Sequence, residues 1–129
     1  MRTTILIAGA AFCLATAVPV QASDWEDIKD PAALRALYSN KTFKGKDYLD
    51  RPFVGHYRAD GQGVMISQGA RVPRSWSVKG NDQVCVKLPW ESPCYRFQRH
   101  TAKADVYRVI NVANDMATVI TVEDGVPQF

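Results

Sequence analysis

Trp76 to Phe97, W-S-V-K-G-N-D-Q-V-C-V-K-L-P-W-E-S-P-C-Y-R-F, constrains the fold of this chain more than any other stretch. Trp76 and Val78 alternate with Ser75, Ser77 and Lys79, and Gly80-Asn81-Asp82 is turn chemistry, so the segment reads as a β-hairpin. Setting Val78 opposite Val84 sets Trp76 opposite Val86, on one face. A second hairpin follows across Pro89-Trp90-Glu91-Ser92-Pro93, and Cys85 opposite Cys94 sets Val84 opposite Tyr95. The two registers, chosen independently, place Trp76, Val78, Val84, Val86, Tyr95 and Phe97 on one apolar surface. A slip of one residue would reverse every side chain, so the agreement is a strong restraint.

The first residues read as a targeting segment. Arg2 gives a positive start, Ile5 to Val18 an apolar run, and Val20-Gln21-Ala22 a small-x-small cleavage site. The run is about 14 residues, short of the ~20 that span a bilayer. Residues 1–22 are therefore expected to be a cleaved signal peptide, with Cys13 lost alongside it, because Phe12 stands where a lipoprotein signal needs a small residue. The mature chain, 23–129, is then a single domain without a transmembrane segment, periplasmic or secreted, and expected to be monomeric.

Export leaves Cys85 and Cys94 where disulfides persist. Their pairing is expected on the polar side of the hairpin, in step with Lys87 and Arg96. Closing a ten-residue loop contributes about 2.7 kcal/mol on the chain-entropy model. Of the 16 basic and 13 acidic residues, loss of Arg2 leaves 15 against 13. They are interspersed and form no basic stripe, which argues against nucleic acid as a partner.

Asp30 suits a helix N-cap, Pro31 the first helical position, and Leu34, Leu37 and Tyr38 recur at helical spacing up to a stop at Asn40. This short helix is expected to pack across one end or face of a sheet, with Trp25 and Ile28 tucked against the core. Beyond it, about eight short strands are expected: 42–45, 53–58, 63–68, 74–79, 83–88, 94–100, 105–111 and 117–123, with 69–73 among the breaks. The fold class is all-β, a small antiparallel up-and-down barrel or half-closed barrel, with a sandwich second. Its core is expected to centre on Trp76.

The segments L-Y-S-N-K-T-F-K-G from Leu37, H-Y-R-A-D-G from His56, W-S-V-K-G-N-D-Q-V-C-V from Trp76 and P-C-Y-R-F up to Phe97 resemble a group of small exported bacterial proteins. That group is the 995 family of domains of unknown function. The resemblance spans Leu37 to Phe97 and implies the fold and compartment above. It carries no catalytic residues.

Signatures of catalysis are weak. His56 and His100 lie in no metal spacing, so no metal ligand or cofactor is assigned. There is no G-x-S-x-G elbow, and the cysteines are expected to be oxidised. Tyr57-Arg58 beside Asp60-Gly61 reads as a strand entering a tight turn, the carboxylates at Asp47 and Asp50 or Glu123 and Asp124 as solvated, and Gly61-x-Gly63 as turn glycine. Two features bear on recognition. Arg71, Arg74, Arg99 and Arg108 gather near strand ends, and Trp90 stands between two prolines, either as an exposed anchor or as a plug over the barrel end. The expected function is a non-enzymatic binding module acting through loops at one barrel end, with Trp90, Glu91, Arg96 and Arg99 as candidate contacts. The alternatives are an inhibitor-like module against an extracytoplasmic enzyme and a lipocalin-like carrier of a small apolar ligand.

Overall fold

Both hairpins form in the expected register. In the computed structural model, which describes residues 23–129, Trp76 lies opposite Val86, Val78 opposite Val84, Val84 opposite Tyr95 and Cys85 opposite Cys94. Cys85 and Cys94 form the disulfide, with S–S 2.03 Å. The expected signal segment, 1–22, lies outside the described residues.

The elements are β1 (Trp25–Asp27), α1 (Pro31–Tyr38), β2 (Lys41–Lys46), β3 (Pro52–Tyr57), β4 (Gln62–Ser67), β5 (Ala70–Lys79), β6 (Gln83–Lys87), β7 (Cys94–His100), β8 (Val106–Asn111) and β9 (Ala117–Asp124). From β2 to β9 each strand pairs antiparallel with the next, and β9 returns to pair with β2, with Val122 opposite Phe43. The result is a closed up-and-down barrel of eight strands, which leaves no long free edge. β1 is a ninth strand that the sequence pattern does not signal, since it has three residues. It lies along β7, with Trp25 opposite His100.

Residues 69–73 were expected as a break, but the turn is confined to Gln68 and Gly69 and β5 runs straight through Pro73. The amide of Trp76 donates to the Gly61 carbonyl, on the β4 side. By alternation the Pro73 nitrogen faces the opposite side, where β6 has already ended opposite Ser75. The missing donor therefore breaks no ladder bond.

α1 starts where Asp30 Oδ1 accepts from the Ala32 amide at 3.0 Å, with Pro31 in the first turn. It stops before Asn40, which takes φ 58°. Its apolar face, Leu34, Leu37 and Tyr38, is buried. The Tyr38 ring lies 4.8 Å from Phe43, 4.7 Å from Tyr57, 5.1 Å from Trp76 and 5.6 Å from Phe97. The core is thus centred on Tyr38 and not on Trp76. Trp76 has the expected facing but is half-buried, its indole N–H donating to the Arg58 carbonyl at 2.9 Å. Burial of Phe97, Leu34, Val84 and Val86 supplies about 1.5–3 kcal/mol each.

The antiparallel order gives the barrel two unlike ends. Segments 58–61, 80–82 and 101–105 share one end with α1 and β1, and this end is closed. The opposite end carries the connections 47–51, 68–69, 88–93 and 112–116. Among the described residues no helix is long and apolar enough to cross a membrane.

Candidate ligand-binding site

Side chains alternate inward and outward along each strand, and the inward positions can be counted from the registers. Phe53, Gly55 and Tyr57 of β3 face Gly63 and Met65 of β4, which in turn face Arg74 and Val72 of β5. Two of these inward positions are glycines because the Tyr57 ring occupies their space. A Cβ on Gly63 would fall 2.7 Å from the ring, and one on Gly55 would fall 2.9 Å from it. That ring fills the space beside both glycines, and the interior beyond it, toward the open end, is not filled. A cavity of about 450 Å³ runs from a floor of Tyr38 and Phe43 to a mouth at Tyr48 and Met116. Eight-stranded barrels stand at this limit, either filled by side chains or holding one small ligand.

Arg74 lines the cavity, although the sequence placed it in an outer cluster of arginines. That cluster does not form. Arg71 is exposed. Arg99 reaches Glu26 at 3.4 Å, and Arg108 donates to Gln98 at 2.7 Å and covers the Trp25 ring at 4.8 Å. The Arg74 guanidinium lies beside the Tyr57 hydroxyl. Its Nε is shielded from solvent and has no hydrogen-bond acceptor. Among the described residues no carboxylate pairs with it, in contrast to Arg51, Arg58, Arg96 and Arg99.

Three phenols surround this cation. Burial pushes the Tyr38 hydroxyl well above the ordinary phenol range, and the neighbouring Tyr57 and Tyr95 add to that while Arg74 opposes it. Burial likewise raises Tyr57 and Tyr95, again against the pull of Arg74. All three therefore stay protonated and offer O–H donors. The rest of the lining mixes apolar Phe53, Met65, Val86, Val109 and Ile120 with polar Asn111, Asn114 and Thr118 and, at the mouth, Asp47, whose carboxylate is paired with Arg51. One cation and several neutral donors in such a chamber can hold an anionic or strongly accepting group.

The mouth is also distinctive. Tyr48, Leu49, Trp90, Val112 and Met116 are exposed, and all belong to the loops of the open end, with Val119 on the outer face of β9 nearby. The exposure is built in. The Asp47 carboxylate accepts from the Leu49 and Arg51 amides and from Arg51 Nε, each at 2.9 Å, which holds Tyr48 77 % exposed. The same bonds, led by the Arg51 amide, keep the Asp47 carboxyl below the usual carboxylate range. In 88–93 the Leu88 amide donates to the Glu91 carbonyl at 2.7 Å and the Val86 amide to the Pro93 carbonyl at 2.8 Å. Trp90 points away at 67 % exposure and is not a plug; α1 closes the barrel, at the other end.

The candidate contacts inferred from sequence are dispersed. Trp90 and Glu91 stand together at the mouth. Arg96, on the outer face of β7, lies 3.6 Å from Asp115 of the neighbouring loop. Arg99 is near the closed end, about 16 Å along the strand from Cys94 at ~3.3 Å per residue, and does not join Trp90. The histidines are separate and bonded locally. Thr42 Oγ1 donates to the Gly125 carbonyl at 2.8 Å, so His56 Nδ1, 2.9 Å away, donates to Thr42. His56 is half-buried, not fully solvated, and burial, Arg71 and Lys44 lower its pKa. His100 Nδ1 accepts from the Ala102 and Lys103 amides.

The residues missed from sequence are Arg74, Tyr38, Tyr57 and Tyr95 as one group. The alternation that turns Trp76 inward also turns Arg74 inward, two positions earlier, and this was the available signal. Comparison of the chain with protein-family models and with curated proteins returns no match.

Proposed function

We propose that this protein is an exported, non-enzymatic binding protein that takes a small, largely apolar molecule into its barrel, in the manner of a lipocalin-like carrier. The observation that carries the reading is the cavity of about 450 Å³, open at the end where the exposed apolar residues gather. At ~30 Å³ per water, it has room for about fifteen waters or a ligand with a similar number of non-hydrogen atoms. The exposed apolar side chains of the rim favour transfer of such a ligand from a membrane, micelle or donor protein, because they offer it apolar contact beside the polar Asp47 and Asn114. The disulfide supports an oxidising compartment, and the quoted motifs support membership of the 995 family of domains of unknown function.

The test is native mass spectrometry of the mature chain, 23–129, before and after incubation with straight-chain amphiphiles of eight to sixteen carbons. The expected result is a one-to-one complex whose strength peaks at an intermediate length. Absence of binding across the series would contradict the reading. Capture of an extracytoplasmic enzyme through Trp90 would favour the inhibitor-like alternative, which rests on the fixed exposure of that ring.

A further inference from the structure

We propose that the ligand of this barrel is a carboxylate, seated on Arg74 and the surrounding tyrosine hydroxyls, with an unbranched apolar body directed toward the mouth. This rests on reading the interior as a ligand cavity. The argument begins with what Arg74 lacks. A guanidinium turned into a barrel is ordinarily kept by an internal carboxylate, since a desolvated charge without a partner is costly. Four other arginines of this chain have such partners on the surface, yet Arg74 has none among the described residues, and its shielded Nε has no acceptor at all. The fold thus presents, at the inner part of the chamber, a guanidinium whose neighbours are tyrosine hydroxyls, Tyr57 being hydrogen-bonded to it, and no carboxylate among the described residues.

The chemistry of the missing partner follows from charge and shape. Arg74 is the cation lining this cavity, and the carboxylate in the lining, Asp47, stands at the mouth already paired with Arg51, so a monoanion balances Arg74, whereas a dianionic phosphate would leave one charge uncompensated. A guanidinium fork matches the two oxygens of a planar carboxylate, and the adjacent Tyr57 hydroxyl can donate to the same group. The tyrosines bring hydrogen-bond donors without adding charge. Phe53, Met65, Val86, Val109 and Ile120 give the wall an apolar stretch that matches a hydrocarbon body, with Asn111, Asn114 and Thr118 as its polar part, and the volume suits a chain of about twelve carbons.

Titration calorimetry of the mature protein with dodecanoate and with dodecanol, at neutral pH, tests this directly. The wild type is expected to bind the carboxylate at least tenfold more tightly than the alcohol. Arg74→Met is expected to weaken dodecanoate at least tenfold while holding dodecanol as well or better, and Arg74→Lys to recover part of the preference. Equal affinity of the wild type for the two ligands would overturn the carboxylate assignment and leave the carrier reading standing. Binding of neither would remove both. Should Arg74→Met fail to fold, the wild-type preference alone decides the matter.

Discussion

The closed and open ends of this barrel are made from the same strands, and they differ in what the inward positions carry. Toward the closed end the inward residues are large and meet a helix. Tyr38, Phe43, Tyr57 and Phe97 interlock with ring centroids 4.7 to 6.5 Å apart, and little of them reaches solvent. Toward the open end Phe53, Met65 and Arg74 line a space that side chains do not fill, no helix covers the mouth among the described residues, and exposed apolar side chains gather at the rim. One end spends its residues on burial and the other leaves space. The difference teaches that a barrel of eight strands need not choose between a packed core and an open chamber.

The largest effect expected from this division is on stability. Phe97→Ala, at the packed end, should cost about 3–5 kcal/mol in chemical denaturation, whereas Phe53→Ala, on the cavity wall, should cost about 1–2 kcal/mol because its surroundings are already open. Equal losses would break the comparison. Next in size is the staple at the base of the Trp90 loop. Replacing Cys85 and Cys94 by serine should cost about 2–4 kcal/mol, and reduced and oxidised proteins that melt alike would show that it does not brace the fold.

The closed end should also register in alkali. Tyr38 and Tyr57 have folded pKa values raised above the ordinary phenol value, chiefly by burial. Their neutral forms are favoured in the folded state, so this stability is fully present below about pH 10 and is lost as pH rises toward the folded values. The loss should approach ~1.4 kcal/mol per pH unit for each group. Denaturation between pH 9 and 12 checks this, and Tyr38→Phe should flatten the slope. The smallest effect is predicted at the rim. Trp90→Ala should shift stability by less than about 0.5 kcal/mol, since the ring is 67 % exposed. A large loss would mean that the ring braces the barrel after all.

Much of the architecture was legible because it follows from alternation and turn chemistry. Registers through Trp76, Val84 and Tyr95 follow from one apolar face, and Asp30-Pro31 with Asn40 brackets the helix. β1 was not legible, since three residues hold no period. Nor was the passage of β5 through Pro73, whose tolerance depends on where β6 ends. The candidate site was less legible. Alternation shows that Arg74 faces inward with Trp76, but not that it has no internal partner, which depends on every strand that surrounds the cavity, including β2 and β9 at the far ends of the barrel sequence. The glycines at 55 and 63 were likewise unreadable, because their reason is the Tyr57 ring lying across both. Trp90 could be recognised as unusual, while its exposure is decided by the amide bonds at the base of its loop.

The central claim is that Arg74 faces the chamber as a binding group and contributes nothing to the scaffold. Thermal unfolding of the ligand-free Arg74→Met protein tests it most directly. Removing a cation that no carboxylate compensates, while keeping side-chain length, should stabilise the protein by about 1 kcal/mol. For a domain of this size that is a rise in Tm of ~4–8 °C. A fall of similar or greater size would contradict the account, because Arg74 would then be holding the barrel together.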